Sequence, residues 1–412
     1  VGAGRGGREA RVRVLSAVVL IAFLCVAQIA FAGVEELSVG GRFMWDATAW
    51  SGVEEEVEGA WDGVDFVNGT ETRRARIFLK GKVYENLKFK VVYDLADGDE
   101  ICLKDAYLDV VGVPGLGNVR VGQFKEPLSF NEITSSKYIS FIERASLNAF
   151  APSRNAGAMV HGAKADGKLN YQAGIFLDTG KMAEKEGNED FSVAGRVAYL
   201  LMGEQKSDRV LHLGGAFNYL VPEDGVRIRQ RPEVHLSDRF VDTGTLVNAD
   251  NVLKLGGEIA GVFGPFYFAS EYIATTVAKS DEDMPEESRG DEWLMDDASL
   301  SGYYAEAGYF LTGEHRVYKG GVWSRTKPRS NFLEDGGLGA WEVVARYSSL
   351  DLNEETAEIY GGKMDNVTLG LNWYLHANAR LMFNYVMSSV KDHDDEELGS
   401  ANAFTMRTQF DF

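Results

Sequence analysis

Apolar and polar residues alternate along most of this chain. Between Glu36 and Trp50, residues Leu37, Val39, Phe43, Trp45, Ala47 and Ala49 share one parity, and Ser38, Arg42, Asp46 and Thr48 share the other. Leu369, Leu371, Trp373 and Leu375 alternate with Thr368, Gly370, Asn372 and Tyr374. Leu381, Phe383, Tyr385 and Met387 alternate with Arg380, Met382, Asn384 and Ser388, and Phe404, Met406, Phe410 and Phe412 with Thr405, Arg407, Gln409 and Asp411. A period of two sustained over about ten residues predicts β-strands whose two faces meet different surroundings. Beyond residue 32 no window carries the roughly 18 consecutive apolar residues of a membrane-spanning helix.

Two architectures suit this pattern. A soluble sandwich turns the apolar face to a core and the polar face to water. A transmembrane barrel turns the apolar face to lipid and the polar face to a wet lumen. The segments have the length that crosses a bilayer at a tilt, aromatics stand at their ends, and the last alternating segment finishes on Phe412. The expected fold is therefore all-β: a transmembrane antiparallel barrel of about 16 strands over residues 33–412, with alternately short and long connections. Residues 1–32 read separately, as a cleaved secretory signal. Arg5, Arg8, Arg11 and Arg13 precede the apolar run Val14 to Ile29, and Ala30-Phe31-Ala32 offers small residues where a signal peptidase reads.

Composition narrows the function. The 412 residues are 45% hydrophobic with 46 Gly and only 8 Pro, which favours strands over a disordered chain. A net charge of -20 argues against wrapping nucleic acid. Cys25 and Cys102 cannot build a disulfide framework. The long connections, Val53 to Asp62, Lys181 to Asp190, Ser280 to Asp297 and Lys391 to Glu397, are acidic and read as solvated loops. Asp281, Glu282 and Asp283 lack the spacing and glycine of a calcium loop, so no metal site is expected. The six His (161, 212, 235, 315, 376 and 393) are scattered, and neither a phosphate-cradling glycine loop nor a nucleophile elbow occurs. Neither catalysis nor a cofactor is expected.

Basic residues in phase are more informative. Arg74, Arg76, Lys80 and Lys82 share a parity opposite to Ala75, Ile77, Leu79 and Val83. Arg227, Arg229 and Arg231 repeat the pattern, and Lys319, Arg325 and Lys327 repeat it loosely. On a lipid face each central Arg or Lys would cost about 2 to 4 kcal/mol, so in a barrel these rows should face the lumen. There they would either offer an anion successive weak sites or pair with lumenal carboxylates such as Asp46, Asp94, Asp105, Asp109 and Glu342. The stretch Lys125 to Gly157 breaks the alternation. It holds Pro127 and Pro152, and Ser135-Ser136 before Ile139, Ile142 and Leu147 predicts a short serine-capped helix within Lys137 to Asn148. An excursion of that length and apolar content is expected to fold into the lumen and narrow it.

The chain resembles the phosphate-selective porin O/P family of bacterial outer membranes. The resemblance rests on Glu71-Thr72-Arg73-Arg74-Ala75-Arg76, on Lys104-Asp105-Ala106-Tyr107-Leu108, and on Val121-Gly122-Gln123-Phe124-Lys125-Glu126-Pro127 continuing through Thr134-Ser135-Ser136 and Glu143-Arg144-Ala145. Later strings include Gly308-Tyr309-Phe310-Leu311-Thr312-Gly313-Glu314 and Gly370-Leu371-Asn372-Trp373-Tyr374-Leu375. It implies a sixteen-stranded barrel, usually trimeric, constricted by its inward-folded third loop. By motif, the anion-binding residues it implies are Arg73, Arg74, Asp105, Ser135, Ser136 and Arg144, to which the phase argument adds Arg76. Glu132 departs from the basic side chain that selective members tend to carry in this loop. The expectation is an outer-membrane channel for small anions, phosphate among them, set in outer-membrane lipid and lipopolysaccharide of a Gram-negative bacterium. A weakly selective or cation-preferring pore, and a secreted β-rich binding protein or adhesin, are the alternatives.

Overall fold

The computed structural model describes residues 34–57, 64–97, 100–177, 190–247, 249–279 and 296–412. The expected secretory signal falls outside them, as do residues 58–62 of the run Val53 to Asp62, 181–189 of the run Lys181 to Asp190 and 280–295 of the run Ser280 to Asp297. Nine strands follow one another: β1 (Val34–Glu55), β2 (Gly69–Val83), β3 (Leu87–Asp97), β4 (Glu100–Val113), β5 (Gly117–Lys125), β6 (Arg154–Lys164), β7 (Leu169–Leu177), β8 (Phe191–Met202) and β9 (Arg209–Val221). A hairpin of β10 (Val226–Gln230) and β11 (Val241–Leu246) then precedes β12 (Ala249–Phe263), β13 (Phe266–Lys279) and β14 (Ala298–Phe310). A second hairpin, β15 (Tyr318–Lys319) and β16 (Val322–Trp323), precedes β17 (Ala340–Glu354), β18 (Ile359–His376), β19 (Ala379–Lys391) and β20 (Glu397–Asp411).

Sixteen of these strands pair with their neighbours and close into a barrel, leaving both hairpins outside the wall. The closing seam joins β1 to β20, with Phe43 opposite Phe410 and Asp46 opposite Arg407. Closure removes the unpaired edges that a long exposed sheet would present. The faces are inverted relative to a soluble protein. In β20, Arg407 is 0% exposed while Phe404 is 47% exposed, and in β13, Glu271 is buried while Tyr272 points outward. Aliphatic and aromatic side chains thus form the outer surface and charged ones the inner, the arrangement of a barrel solvated by lipid. Trp341 and Trp373 stack on that surface with ring centroids 4.8 Å apart, one aromatic contact of the belt such barrels carry at the membrane interface.

Connections alternate in character. One end carries mostly tight turns, at 84–86, 114–116, 165–168, 264–265 and 377–378, which in this class of barrel face the periplasm. The exception at that end is residues 311–339. The opposite, outer end carries the long connections, including 126–153 and 222–247. Among the described residues, three long segments enter the barrel and bond its inner wall. Residues 126–153 donate to Glu271 through the amides of Phe130 and Asn131, at 2.8 and 2.7 Å, and lay the Ser140 carbonyl on Asn372 at 2.8 Å. Within 222–247, Glu233 accepts from Arg346, Ser348 and Thr368. From the turn end, Tyr318 reaches His212 at 2.8 Å, and the Gly321 carbonyl accepts from Arg196 at 2.7 Å. Together the segments bury a core of Phe130, Phe141, Phe150, Tyr267, Tyr304, Tyr318 and Trp323 within the barrel.

Two local expectations fail for identifiable reasons. The helix expected within Lys137 to Asn148 does not form. The helical turns are α1 (Phe130–Ile133), capped by the Ser129 hydroxyl, and a 3-10 turn at Ser146–Ala149. Between them barrel side chains take the backbone groups a helix would use: Arg380 donates to the Ile139 carbonyl, Arg407 to the Ile142 carbonyl, and the Ile142 amide donates to Asn384. The rows at Arg227 and Lys319 do not line barrel strands either. Arg227 and Arg229 are exposed on the β10–β11 hairpin around buried Ile228, where Arg227 holds Asp242 through two hydrogen bonds of 2.7 Å. Lys319 and Lys327 are exposed in the 311–339 connection, and Arg325 is spent on Asp411. Period two identifies a two-faced ribbon, and a loop hairpin is one as much as a barrel strand is.

Candidate functional site

The inner wall from β1 to β6 is the basic side of the barrel. Strand β2 supplies its row as the parity predicts. Arg74, Arg76, Lys80 and Lys82 face inward while Ile77 lies 49% exposed on the outside. Arg73 should point to lipid by strict alternation. It does not, because the register slips at this position: Met44 pairs with Arg74 but Trp45 with Thr72, leaving Arg73 as an unpaired bulge residue. The bulge turns Arg73 toward the lumen, where it grips Glu143 of the entering segment in a fork of 2.8 and 3.1 Å.

Three cavities lie along this wall and share lining residues. Nearest the outer end, a space of about 210 Å³ meets Arg73, Arg74, Glu143, Arg144, Arg231 and His235. Below it, about 220 Å³ is bounded by Arg42, Arg74, Arg76, Lys90, Asp105, Arg120, Lys125, Ser135, Ser136, Arg144 and Arg154. At the turn end, about 670 Å³ meets Lys80, Lys82, Lys88 and Lys90. The middle space carries eight cationic side chains and one carboxylate in its lining. Expected site residues Arg74, Arg76, Asp105, Ser135, Ser136 and Arg144 all meet there, and Arg73 borders the adjoining outer space.

Their roles divide. Arg76 is held by Asp94 at 2.6 Å, and Arg120 by Asp109 at 2.7 Å. Asp105 binds Lys90 at 2.7 Å and Arg154 at 2.5 Å, so it fixes those two cations and not Arg74 or Arg76. Arg144 is engaged by the entering segment itself, donating to the carbonyls of Asn131, Glu132 and Thr134 at 2.9 to 3.1 Å. Arg144 therefore holds the turn that presents Ser135 and Ser136. Glu132 sits between Arg144 and Lys125 at 3.0 and 2.7 Å. Burial alone would raise its pKa, but Arg144 and Lys125 outweigh burial and hold the carboxyl at about 2. Glu143 is likewise buried yet held well below the ordinary carboxylate range by Arg73, Arg74 and Arg407.

Two arginines are left with charge to spare. The nearest carboxylate to Arg74 is Glu143 at 3.8 Å, and Arg74 otherwise donates to the Met44 sulfur. Among the described residues Arg42 has no carboxylate within ion-pair distance and donates to the Ser136 hydroxyl at 2.6 Å. Arg42, Lys90, Arg120, Lys125 and Arg154 were not among the expected site residues. Arg42 lies on the polar parity of its strand; Lys90 of β3, Arg120 and Lys125 of β5 and Arg154 of β6 form no row in the sequence and meet only because the barrel curves.

The family model for phosphate-selective porin O and P matches residues 37–412. The chain belongs to that family. Porin O of Pseudomonas aeruginosa is 26% identical over 420 residues, covering 91% of this chain and 88% of the relative. A Caulobacter vibrioides protein is 31% identical over 331 residues, 77% of this chain, and the match spans 62% of that relative's length. Among solved structures, the anion-selective porin from Comamonas acidovorans superimposes with a TM-score of 0.54 at 14% identity, covering 92% of this chain and 99% of that one. The trimer form of the outer-membrane protein OmpT from Vibrio cholerae gives 0.55 at 12% identity over the same shares. These likenesses carry the fold. Porin family and barrel place this porin in the outer membrane of a Gram-negative bacterium, and both are those of a channel rather than of an enzyme.

Proposed function

We propose that this porin is a passive diffusion channel for small anions, inorganic phosphate among them, and that its filter is the middle cavity of the β1–β6 wall. The carrying observation is the lining of that space, eight cations against one carboxylate, with Arg42 and Arg74 not neutralised by close ion pairs. Cations fixed along a passage lower the energy of an anion there and offer it successive weak sites. In this reading residues 125–157 form the constriction: Arg144 sets the turn, Ser135 and Ser136 supply hydroxyls, and Asp105 keeps Lys90 and Arg154 in place. The lysines at the turn end receive the ion after the arginines. Glu132, although acidic, does not cancel the filter, because Lys125 and Arg144 already neutralise it. Residues 1–32 serve as the export signal, and the barrel assembles as a homotrimer in lipid and lipopolysaccharide.

The test is chloride current through the purified porin in a planar bilayer, titrated with inorganic phosphate. Saturable block is expected, weakened about tenfold or more by Arg42→Ala with Arg74→Ala. Undiminished chloride current at high phosphate would remove phosphate as a filter ligand.

A further inference from the structure

Across the entering segment from the arginine path lies a separate chamber of about 510 Å³, within the ~300–1,000 Å³ range of small-molecule sites. Its walls are the returning limb 149–155, strands β4 and β5, and strands β8, β9 and β12. Two residues buried in its lining, Lys254 and Gln123, each carry a polar group with no hydrogen-bond partner among the described residues. Lys254 of β12 is 8% exposed and lies on the inner face between outward-facing Leu253 and Leu255, opposite Asn218 and Thr275. Among the described residues its ammonium group makes no hydrogen bond or ion pair. Gln123 of β5 is 5% exposed; its amide nitrogen donates to the carbonyls of Leu103 and Lys104, at 2.8 and 3.2 Å, and its carbonyl oxygen Oε1 is left without a donor.

Glu126 and Asp190 both line the chamber and attract Lys254 across it, but neither forms a hydrogen bond or close ion pair with its ammonium group. Glu126 is already occupied by Asn155 at 2.6 Å, Ser192 at 2.9 Å and Asn218 at 2.7 Å. A buried ammonium group without a close ion pair is stabilised further by any anion that reaches it. An unpaired amide oxygen asks for a donor, such as a hydroxyl. Leu103, Pro152, Leu220 and Val226 add an apolar side to the same space.

We propose that this chamber binds a hydroxyl-bearing organic anion of the sugar-phosphate class, its anionic group on Lys254 and a hydroxyl on the Gln123 oxygen. The site is distinct from the filter, touching it only through Arg154, which lines both spaces. Inorganic phosphate would leave most of the chamber empty and the Gln123 oxygen without an organic partner. The proposal rests on the channel reading only for the route by which the ligand arrives.

Calorimetry on the detergent-solubilised porin tests it, with glucose 6-phosphate, glucose and ethyl phosphate as probes. Glucose 6-phosphate should bind more tightly than either other probe. Lys254→Met should weaken it about tenfold, Lys254→Arg should retain it, and Gln123→Leu should weaken glucose 6-phosphate but not ethyl phosphate. Heat-modifiable gel migration shows that each variant is a folded barrel. Equal binding of glucose and glucose 6-phosphate, or a folded Lys254→Met porin that binds as before, would overturn the proposal. Chloride selectivity of the same Lys254→Met porin should be unchanged, so loss of anion preference in the unaltered protein would count against the filter and not against the chamber.

Discussion

The two sides of the barrel interior are built from the same alternating sequence and end in opposite states. On the β1–β6 side, inward Arg and Lys outnumber nearby carboxylates and border open cavities. On the side of β9, β12–β14, β17 and β18, inward carboxylates are each met by a buried partner. Glu258 binds Arg196 at 3.0 Å and His212 at 2.8 Å, while Glu342 accepts from Tyr267, Asn372 and Tyr374 at 2.6 to 2.9 Å. The entering segments seal these groups under Phe130, Phe141, Tyr318 and Trp323. Parity fixes which side chains point inward. Whether the interior there is wet depends on what chain lies over it. The basic wall is free to hold ions, and the covered wall anchors the structures that narrow the passage.

Reversing charge on the basic wall should produce the largest effect. Arg42→Glu with Arg74→Glu replaces the two least neutralised cations with anions and is expected to cut the anion-to-cation permeability ratio by about tenfold or more. Reversal potentials read it directly. An unchanged ratio would take both residues out of the filter.

The covered wall should answer with stability. Glu258→Gln leaves Arg196 and His212 around a neutral group in a buried site, at a cost of about 3–5 kcal/mol. The porin should unfold at lower temperature in detergent while keeping the sign of its selectivity. Hollowing out the same side with Trp323→Ala removes contacts to Phe130 and Tyr267, whose ring centroids lie 5.2 and 5.8 Å away. Single-channel conductance should rise without a gain in anion preference. A gain would mean that the covered side also selects.

The smallest effect concerns pH. Glu132 is held at about 2, below its ordinary value of 4.5. A depressed carboxylate stabilises the fold above its ordinary value, and that contribution fades as pH falls through the depressed one. The Glu132 clamp on Lys125 and Arg144 should therefore persist at pH 4, with no step in anion preference between pH 7 and 4 attributable to it. Glu132→Gln at pH 7 should raise anion preference a few-fold by releasing two cations. A Glu132-dependent step near pH 4.5 would contradict the clamp.

The sequence made the wall legible because alternation is local. Arg74, Arg76, Thr405, Arg407 and Asn372 lie on the inner face their parity predicts. What it concealed needed distant pairing. The bulge at Arg73 exists only in the register of β1 with β2. Lys90 and Arg154 become a pair only through Asp105, contributed by a third strand. The loose basic row at Lys319, Arg325 and Lys327 did not reveal that residues 311–339 enter the barrel, since Arg316, Tyr318 and Trp323 in a connection look like any loop until His212 and Glu342 stand opposite. The helix expected after Ser136 failed for the same reason: its backbone partners came from other strands.

The zero-current potential of the unaltered porin across a potassium chloride gradient in a planar bilayer tests the central claim most directly. A cationic filter on the β1–β6 wall predicts the polarity of chloride permeation, despite a net charge of -20 for the chain. The polarity of potassium permeation would show that the acidic surface governs the passage and that the arginine wall does not.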